Sequence, residues 1–370
     1  MRPRRLLWVL AWLVVGGEET EVRLLAQHLR PDWTVDVVVC SHRPGMPEQT
    51  HRQLAELGVR VDTTPYGLPD EGIVDHLTRI VPRYDVVVAS HAVPFLRPAL
   101  QRLAVRPPLI GHGGLVSEAR AGVTDLTDRY VGVCTTIRDA AAEAMPGRRH
   151  HALEIPSLVD LAEFDPRHRA GVRREWGLAD DVPVVGWVGR LDRKKRVEDV
   201  LAAAALLAED HPEVRWVLVG GPNSSYREYE AELHRHATAL GLDGVVRWLG
   251  DRPDVPRLLA GLDALVWLSE GEGMPHILAE AGAACLPVVA TRDNGAAEQV
   301  VDGRSGLFVP HRDPAAAAAA LGRLVRDHGL RARLGRQLHV DVVARYSVPA
   351  VLPQWRALLD ELTLVGSRSR

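Results

Sequence analysis

The sequence predicts an α/β protein built from two doubly wound parallel-sheet domains in tandem. Three observations point there. The chain has 370 residues, more than one ordinary core holds at roughly 100–200 residues per domain. Val-rich runs, apolar on both faces, alternate with amphipathic stretches of helical period, the pattern of a parallel sheet covered by helices. The alternation pauses at a polar stretch with a proline, Asp165-Pro166-Arg167-His168-Arg169, and then starts again.

The first run, Leu6–Val15, follows Arg2, Arg4 and Arg5. A basic start before an apolar segment is also how a secretory signal begins. Here no small-residue cleavage site follows, because Gly16-Gly17 leads straight into Glu18-Glu19. The run is also shorter than the roughly 18 apolar residues a bilayer span needs. It therefore reads as a buried first strand. Further strands are expected at Val35–Cys40, Val59–Thr63, Val86–Ala89, Leu109–Gly111, Tyr130–Cys134 and His151–Ile155, with helices such as Glu19–Leu29, Pro47–Leu57 and Ile137–Ala144 between them. In the second half the strands are Val184–Val188, Arg215–Val219, Val245–Leu249, Ala264–Leu268, Val288–Ala290 and Gly306–Val309. Its helices include Val197–Glu209, Tyr226–Leu240, Pro253–Gly261, Pro275–Ala284 and Pro314–Arg326. This reading divides the chain into residues 1–165, 166–345 and a terminal helix and tail, 346–370, whose Pro349–Leu362 is amphipathic. Ligands of open α/β sheets bind beyond the carboxyl ends of the strands, so two such domains are expected to face a central cleft. No GxGxxG follows the first strand, so a dinucleotide site is not indicated.

Composition narrows the function. With 25% charged residues and a net charge of −3, nothing marks a nucleic-acid partner. Cys40, Cys134 and Cys285 lie far apart, against a disulfide framework or a cysteine zinc site, and are read as buried thiols. No other segment could cross a membrane, so a cytoplasmic protein is expected; the N-terminal arginines leave room for peripheral contact with an anionic membrane surface. Of 45 basic residues only Lys194 and Lys195 are lysines, and they are adjacent.

Four segments carry chemistry. Ser269 to Ala281 (SEGEGMPHILAEA) leaves a strand and opens a helix, with Glu272 expected near the helix start and Pro275 in the first turn. If both are helical, Glu272 and Glu280 stand about 12 Å apart along the axis and about 80° around it. Carboxylates so placed could each grip a pair of hydroxyls of one ligand. The alternative is a helix cap and a solvated face, but Glu280 sits among Ile277, Leu278, Ala279 and Ala281, where a carboxylate is paired or functional. Gly189-Arg190-Leu191, followed by Lys194-Lys195, is a strand, a glycine turn and a basic cluster; Arg190 and Lys195 suit a diphosphate, while Arg193 and Arg196 read as solvated. Gly16-Gly17 closes the first strand, where glycine permits positive φ and close approach of a ligand to backbone. His112 stands between Gly111 and Gly113 at a strand end, exposed to whatever lies there or simply structural; His91 has the same placement and a weaker case.

Together, Glu272-x7-Glu280, Gly189-Arg190-Leu191 with Lys195, and Gly16-Gly17 resemble the family 4 glycosyltransferases of the GT-B fold. The resemblance covers nearly the whole chain, including Ile155-Pro156-Ser157-Leu158-Val159-Asp160, Asn294-Gly295-Ala296-Ala297-Glu298 and Val301 to Leu307. It implies a retaining transferase that moves a sugar from a UDP- or GDP-sugar to an acceptor hydroxyl on a glycan, a lipid-linked sugar or a small natural product. It implies no metal and no cofactor. Arg190 and Lys195 would bind the donor diphosphate, Glu280 the ribose, and Glu272 with the backbone of Gly273, Met274 and Pro275 the donor sugar. Gly16 and Gly17 would let the first domain approach the phosphates, and His112 would sit near the transferred sugar. The acceptor would meet loops near Gly17–Thr20, Ser41–Met46 and His91–Phe95. Departures are Ser157-Leu158 where Asn-Gly is common, Asn294-Gly295 for Gly-Gly, and His276 where small or aliphatic residues often stand. Rival readings are another GT-B enzyme, such as a nucleotide-sugar 2-epimerase or a phosphorylase-like enzyme, and a catalytically inactive carbohydrate-binding partner subunit.

Overall fold

The structure is a computed structural model that describes residues 2–42, 47–222 and 227–368, with the side chains of 227 and 365–368 set aside. Residues 43–46 of the expected acceptor loop Ser41–Met46, and Tyr226 at the start of the predicted helix Tyr226–Leu240, lie outside the described residues. The chain splits into two compact units, residues 1–158 with 348–370, and residues 159–347. Residues 159–165, read with the first domain, thus go with the second unit.

The first unit runs β1 (Arg4–Leu10), α1 (Gly17–His28), β2 (Trp33–Val39), α2 (Gln49–Glu56), β3 (Val61–Asp62), α3 (Asp70–Ile80), β4 (Val86–Ser90), α4 (Val93–Gln101), β5 (Leu109–Gly113), α5 (Val116–Gly122), β6 (Arg129–Gly132), α6 (Thr135–Glu143) and β7 (Ala152–Glu154). Its sheet is parallel, in the order β3-β2-β1-β4-β5-β6-β7. Alternation along β1 sends Leu6, Trp8 and Leu10 to one face and Leu7 and Val9 to the other, and both faces are covered. The strand ends at Leu10 rather than at Val15. Leu10 itself bridges antiparallel to His91, and beyond it the Val14 N–H donates to the Glu19 carboxylate at 3.1 Å. Leu13 and Val14 are therefore buried as a loop, not as sheet.

The second unit runs α7 (Arg169–Glu175), β8 (Val184–Val188), α8 (Val197–Asp210), β9 (Arg215–Val219), α9 (Arg227–Ala239), β10 (Val246–Trp248), α10 (Val255–Leu259), β11 (Ala264–Trp267), α11 (His276–Ala283), β12 (Val288–Thr291), α12 (Asn294–Gln299), β13 (Leu307–Val309), α13 (Pro314–Arg326) and α14 (His328–Arg345). Its parallel sheet has the order β10-β9-β8-β11-β12-β13. The last helix, α15 (Val348–Arg368), returns to the first unit, where Val351, Trp355, Leu358 and Leu359 join the core of Leu6 and Trp8. The expected crossing-back of the terminal helix is thus present.

One reading is corrected. Cys285 is exposed, at a positive φ of 58° in the turn after α11; only Cys40 and Cys134 are buried thiols. Arg4 lies 4.5 Å over the Trp33 ring and pairs with Asp360 at 2.6 Å, and Arg5 pairs with Asp36 at 2.9 Å. Among the described residues no helix is long and apolar enough to cross a membrane.

Candidate functional site

In the second sheet the strand order reverses between β8 and β11, so two successive halves of the unit leave the sheet side by side there. The segment after β8 is Gly189 to Lys195 and the segment after β11 is Leu268 to Pro275. The Glu270 N–H donates to the Lys194 carbonyl at 2.8 Å, tying the two together. Lys195 Nζ then lies 3.1 Å from Glu272 Oε2, and Lys194 Nζ 3.2 Å from Glu272 Oε1. The two lysines and the first glutamate, 77 positions apart between Lys195 and Glu272, thus form one ion-paired cluster.

The basic turn is built by capping. Asp192 accepts the Lys194 N–H at 3.1 Å and starts the short 3₁₀ turn Arg193–Lys195. Arg196 closes it in a left-handed conformation, with φ 50° and ψ 45°, held by Asp199 at 2.9 Å. Arg193 pairs with Glu232 at the surface, so it and Arg196 are engaged away from the cluster. Arg190 is half-buried, and its Nε is buried with no hydrogen-bond partner among the described residues.

Glu272 is not at a helix start. α11 begins at His276 with Pro275 as its N-cap, so Glu272 and Gly273 lie in the preceding loop and the helical spacing to Glu280 does not apply. The loop stays outside the helix because its backbone bonds elsewhere. The Glu272 N–H donates to Asp293 Oδ2 at 3.0 Å, and Asn294 Nδ2 donates to the Glu272 carbonyl at 2.8 Å. Gly295 N–H donates to the Gly273 carbonyl at 2.6 Å. A Cβ on Gly295 would stand 2.3 Å from that oxygen, so glycine is required there by close approach. Asp293, Asn294 and Gly295 are therefore the brace of the Glu272 loop. Sequence reading treated Asn294-Gly295 as a departure and missed that role, because only the fold brings β11 and β12 side by side. Gly273, Met274 and Pro275 are buried. Pro275 has no N–H, so an amide contact to a ligand at this loop falls to Gly273 and Met274. Glu280 is half-buried on α11.

Burial, the largest cause, pushes the Lys195 ammonium below its ordinary value; Glu272 opposes this, and Lys194 and Arg190 add to it. Burial would raise the Glu272 carboxyl, but Lys195 and Lys194 outweigh it and hold the group below the ordinary value. The cluster is thus a compact, largely dry set of opposite charges with a net positive excess.

Gly220 was also missed. It follows β9 at φ 128°, and a Cβ there would stand 1.8 Å from the Gly189 carbonyl oxygen. The Gly189 N–H donates to the Val219 carbonyl and the Leu191 N–H to the Gly221 carbonyl, each at 2.9 Å. Gly220 therefore shapes the turn that carries Arg190. The pair Gly220-Gly221 after a strand was the available signal.

In the first unit Gly16, Gly17 and His91 sit beyond the carboxyl ends of strands and His112 lies within β5, with two corrections. Gly16 caps α1 at φ −172°, an extended conformation, so positive φ is not why glycine stands there. A Cβ on Gly16 would meet only the end of the Glu19 side chain, Oε2 at 2.7 Å. Gly17 opens α1. His112 is not exposed: its side chain is 2% accessible, in β5, with its ring against Trp8 and Trp355 at 5.2 and 6.0 Å. Its Nδ1 lies 3.3 Å from Glu18 Oε1 and its Nε2 3.5 Å from Glu21 Oε1. His91 follows β4 at φ 58° with Nε2 3.4 Å from Glu118 Oε1. Among the described residues no group of three or more His, Cys, Asp or Glu is arranged to hold a metal ion.

Two parallel-sheet α/β units with these strand orders define the GT-B class of fold. Residues 169–338 match the family model described as glycosyl transferases group 1. The chain is similar to the D-inositol 3-phosphate glycosyltransferase of Corynebacterium urealyticum, 36% identical over 216 residues, 56% of this chain and 51% of that protein. The chain spans about half the length of the curated relatives it matches. Among solved structures it is similar to Anabaena Alr3699/HepE in complex with UDP and glucose, with a TM-score of 0.85 at 22% identity, covering 96% of this chain and 99% of that one. Sucrose-phosphate synthase from Thermosynechococcus elongatus follows with a TM-score of 0.77 at 20% identity, covering 98% of this chain and 100% of that one. At such identities the likeness speaks for the fold.

Proposed function

We propose that the chain transfers a sugar from a nucleotide-sugar donor to an acceptor hydroxyl, with retention of configuration and without a metal. The observation that carries the reading is the buried, unpartnered Nε of Arg190 beside the ion-paired Lys195 and Glu272 at the carboxyl ends of β8 and β11. A buried guanidinium donor without an acceptor is costly, and a phosphate oxygen satisfies it in a charge-assisted bond. Arg190 and Lys195 hold the diphosphate and stabilise the charge that gathers on it as the glycosidic bond breaks. Glu272, with the amides of Gly273 and Met274, receives the donor sugar, and Glu280 the ribose. The acceptor hydroxyl attacks the face from which the diphosphate departs and gives its proton to the leaving phosphate oxygen, so positioning and charge stabilisation supply most of the acceleration. UDP-glucose is the first donor to try, because Anabaena HepE is described in complex with it.

The test is a thermal-shift panel of nucleoside diphosphates and their sugars, followed by NMR of the anomeric signal of the product. One donor is expected to raise the melting temperature of the wild type, and the product to keep the donor's configuration. If no nucleoside diphosphate stabilises the protein, the reading fails. Glu280→Ala is expected to weaken UDP binding about tenfold, or about 1.4 kcal/mol, in calorimetric titration while the fold persists. Unchanged affinity removes Glu280 from the site.

A further inference from the structure

Beneath the start of α1 lies a buried charge relay that the proposed reaction does not use. Glu21 is 1% exposed and His112 4%, and between them they bury a carboxylate and an imidazole beside two tryptophans. The ring nitrogens face opposite ways, Nδ1 toward Glu18 at 3.3 Å and Nε2 toward Glu21 at 3.5 Å. A neutral imidazole has one N–H and one lone pair, so it would set a lone pair against one carboxylate; only the doubly protonated ring is attracted to both, through a hydrogen bond at Nδ1 and through charge alone at Nε2, which makes no hydrogen bond to Glu21. The far oxygen of Glu21 is fixed by the Ser157 hydroxyl, which donates to Oε2 at 3.1 Å. Of the three charged groups only Glu18 reaches the surface, with 22% of its side chain accessible.

We propose that Glu21 is a positioning residue: its carboxylate on Nε2 keeps both nitrogens of His112 protonated, and the imidazolium in turn holds Glu18 ionised and oriented at the open end of α1. This deepens the proposed function and rests on it, since the group that His112 then presents toward substrate is the Glu18 carboxylate rather than the ring itself. A fixed carboxylate there accepts hydrogen bonds, which suits a hydroxyl-bearing, uncharged acceptor and disfavours a phosphorylated one.

The other groups around the ring fit this assignment. From β4, Ser90 Oγ receives the Trp8 Nε1 hydrogen at 3.0 Å and lies 3.5 Å from His112 Nδ1. His91 Nε2 stands 3.7 Å from Glu18 Oε2, and from α5 Glu118 faces His91. From β1 and α15 come only the apolar rings of Trp8 and Trp355, and from β6 the neighbour is Val131. Burial, the largest influence, disfavours the charged ring, yet Glu21 and Glu18 push His112 up to about 10. Burial also opposes ionisation of Glu18, and His112 brings it below its ordinary value. For a histidine raised in the folded state, the stabilisation is complete below the unfolded value of about 6.5 and is lost as pH rises through about 10.

The experiment is a histidine-labelled NMR titration of the full chain, with the His112 signal assigned by its loss in His112→Gln. In the wild type His112 is expected to stay doubly protonated from pH 6 to pH ~9. In Glu21→Gln the midpoint is expected to fall by a unit or more, a tenfold or larger change in proton affinity. Ser157→Ala, which leaves both charges in place, is expected to keep the ring charged. A wild-type midpoint near the ordinary histidine value, or one unmoved in Glu21→Gln, overturns the proposal. Should Glu21→Gln not fold, Glu21→Asp draws the carboxylate back by one methylene and must still lower the midpoint. The second readout is transfer from UDP-glucose against pH. Glu21→Gln is expected to lose kcat as pH rises through the lowered midpoint, with the KM for donor unchanged; a profile identical to the wild type overturns the link to catalysis. If the titration behaves as expected and the wild type turns over no nucleotide sugar, it is the proposed function that fails, and the relay stands.

Discussion

Lys195→Ala is expected to lower turnover of the nucleotide sugar by about 100-fold or more, the usual consequence of removing a preorganised donor to a developing oxyanion. Three separate features set the position and surroundings of Lys195. Its backbone is set by the turn that Asp192 caps, its ammonium is fixed by Glu272 at 3.1 Å, and its neighbour Arg190 adds positive charge to the same end of the sheet. Removing it also leaves Glu272 facing Lys194 alone at 3.2 Å, so Glu272 becomes less well held. The effect should therefore appear in kcat more than in KM, because the diphosphate gains most of its charge as the sugar departs. The pH profile gives an independent check. The ammonium must be charged to act, and burial sets its proton loss below the ordinary lysine value. As pH rises, activity should fall earlier than a solvated lysine would allow. Lys195→Arg, which stays charged throughout, should remove that alkaline limb even if it lowers the plateau. Steady-state kinetics of both variants from pH 6 to pH ~10 checks this. Wild-type turnover in Lys195→Ala ends the assignment.

The second large effect concerns stability. Gly220→Ala is expected to destabilise the second unit by about 3 kcal/mol or more, by denaturant unfolding. Two penalties combine. At φ 128° an L side chain is strained whatever the space around it. In addition the new Cβ would stand 1.8 Å from the Gly189 carbonyl oxygen, and a backbone atom in a sheet-exit turn has little freedom to move away. The structure can relax only by displacing the Gly189-Arg190-Leu191 turn, whose N–H groups bond the Val219 and Gly221 carbonyls. Any folded remainder should therefore bind a nucleoside diphosphate less well, although Gly220 contributes no side chain to the site. Gly303→Ala is the contrast: that glycine has φ 70° and open space where a Cβ would go, so only the backbone cost applies, about 1 kcal/mol. Equal losses in the two variants would mean that the close approach to Gly189 does not matter.

What could be read from the sequence follows from the range of the forces involved. Strands and helices are set by local periodicity, and every strand of both sheets was anticipated to within a few residues except the end of β1. There Leu13 and Val14 are apolar because they are buried, and only the tertiary bonds of Val14 to Glu19 and Thr50 show that they are buried as loop. Helix α14 shows the opposite case. It spans eighteen residues but buries only Leu334, Gly335, Leu338 and Val342, and its arginines and histidines hide that stripe from a periodicity reading. Its close seat on α11 depends on Gly282, where a Cβ would meet Val342 at 2.5 Å.

The sequence by itself determined the residue types of the candidate site: two lysines in an arginine-rich chain, a glycine turn and two glutamates after a strand. Those are chemical identities, and they need no coordinates to be noticed. Only the tertiary structure decided who meets whom. The reversal of strand order at β8 and β11 brings Lys195 to Glu272, takes Glu272 out of the helix, and makes Asp293, Asn294 and Gly295 its support. In the first unit, packing decided between the two readings of His112 and made it a buried ring between Glu18 and Glu21. Side-chain chemistry is written residue by residue, whereas proximity, burial and the resulting charge state arise from packing between segments far apart in the chain.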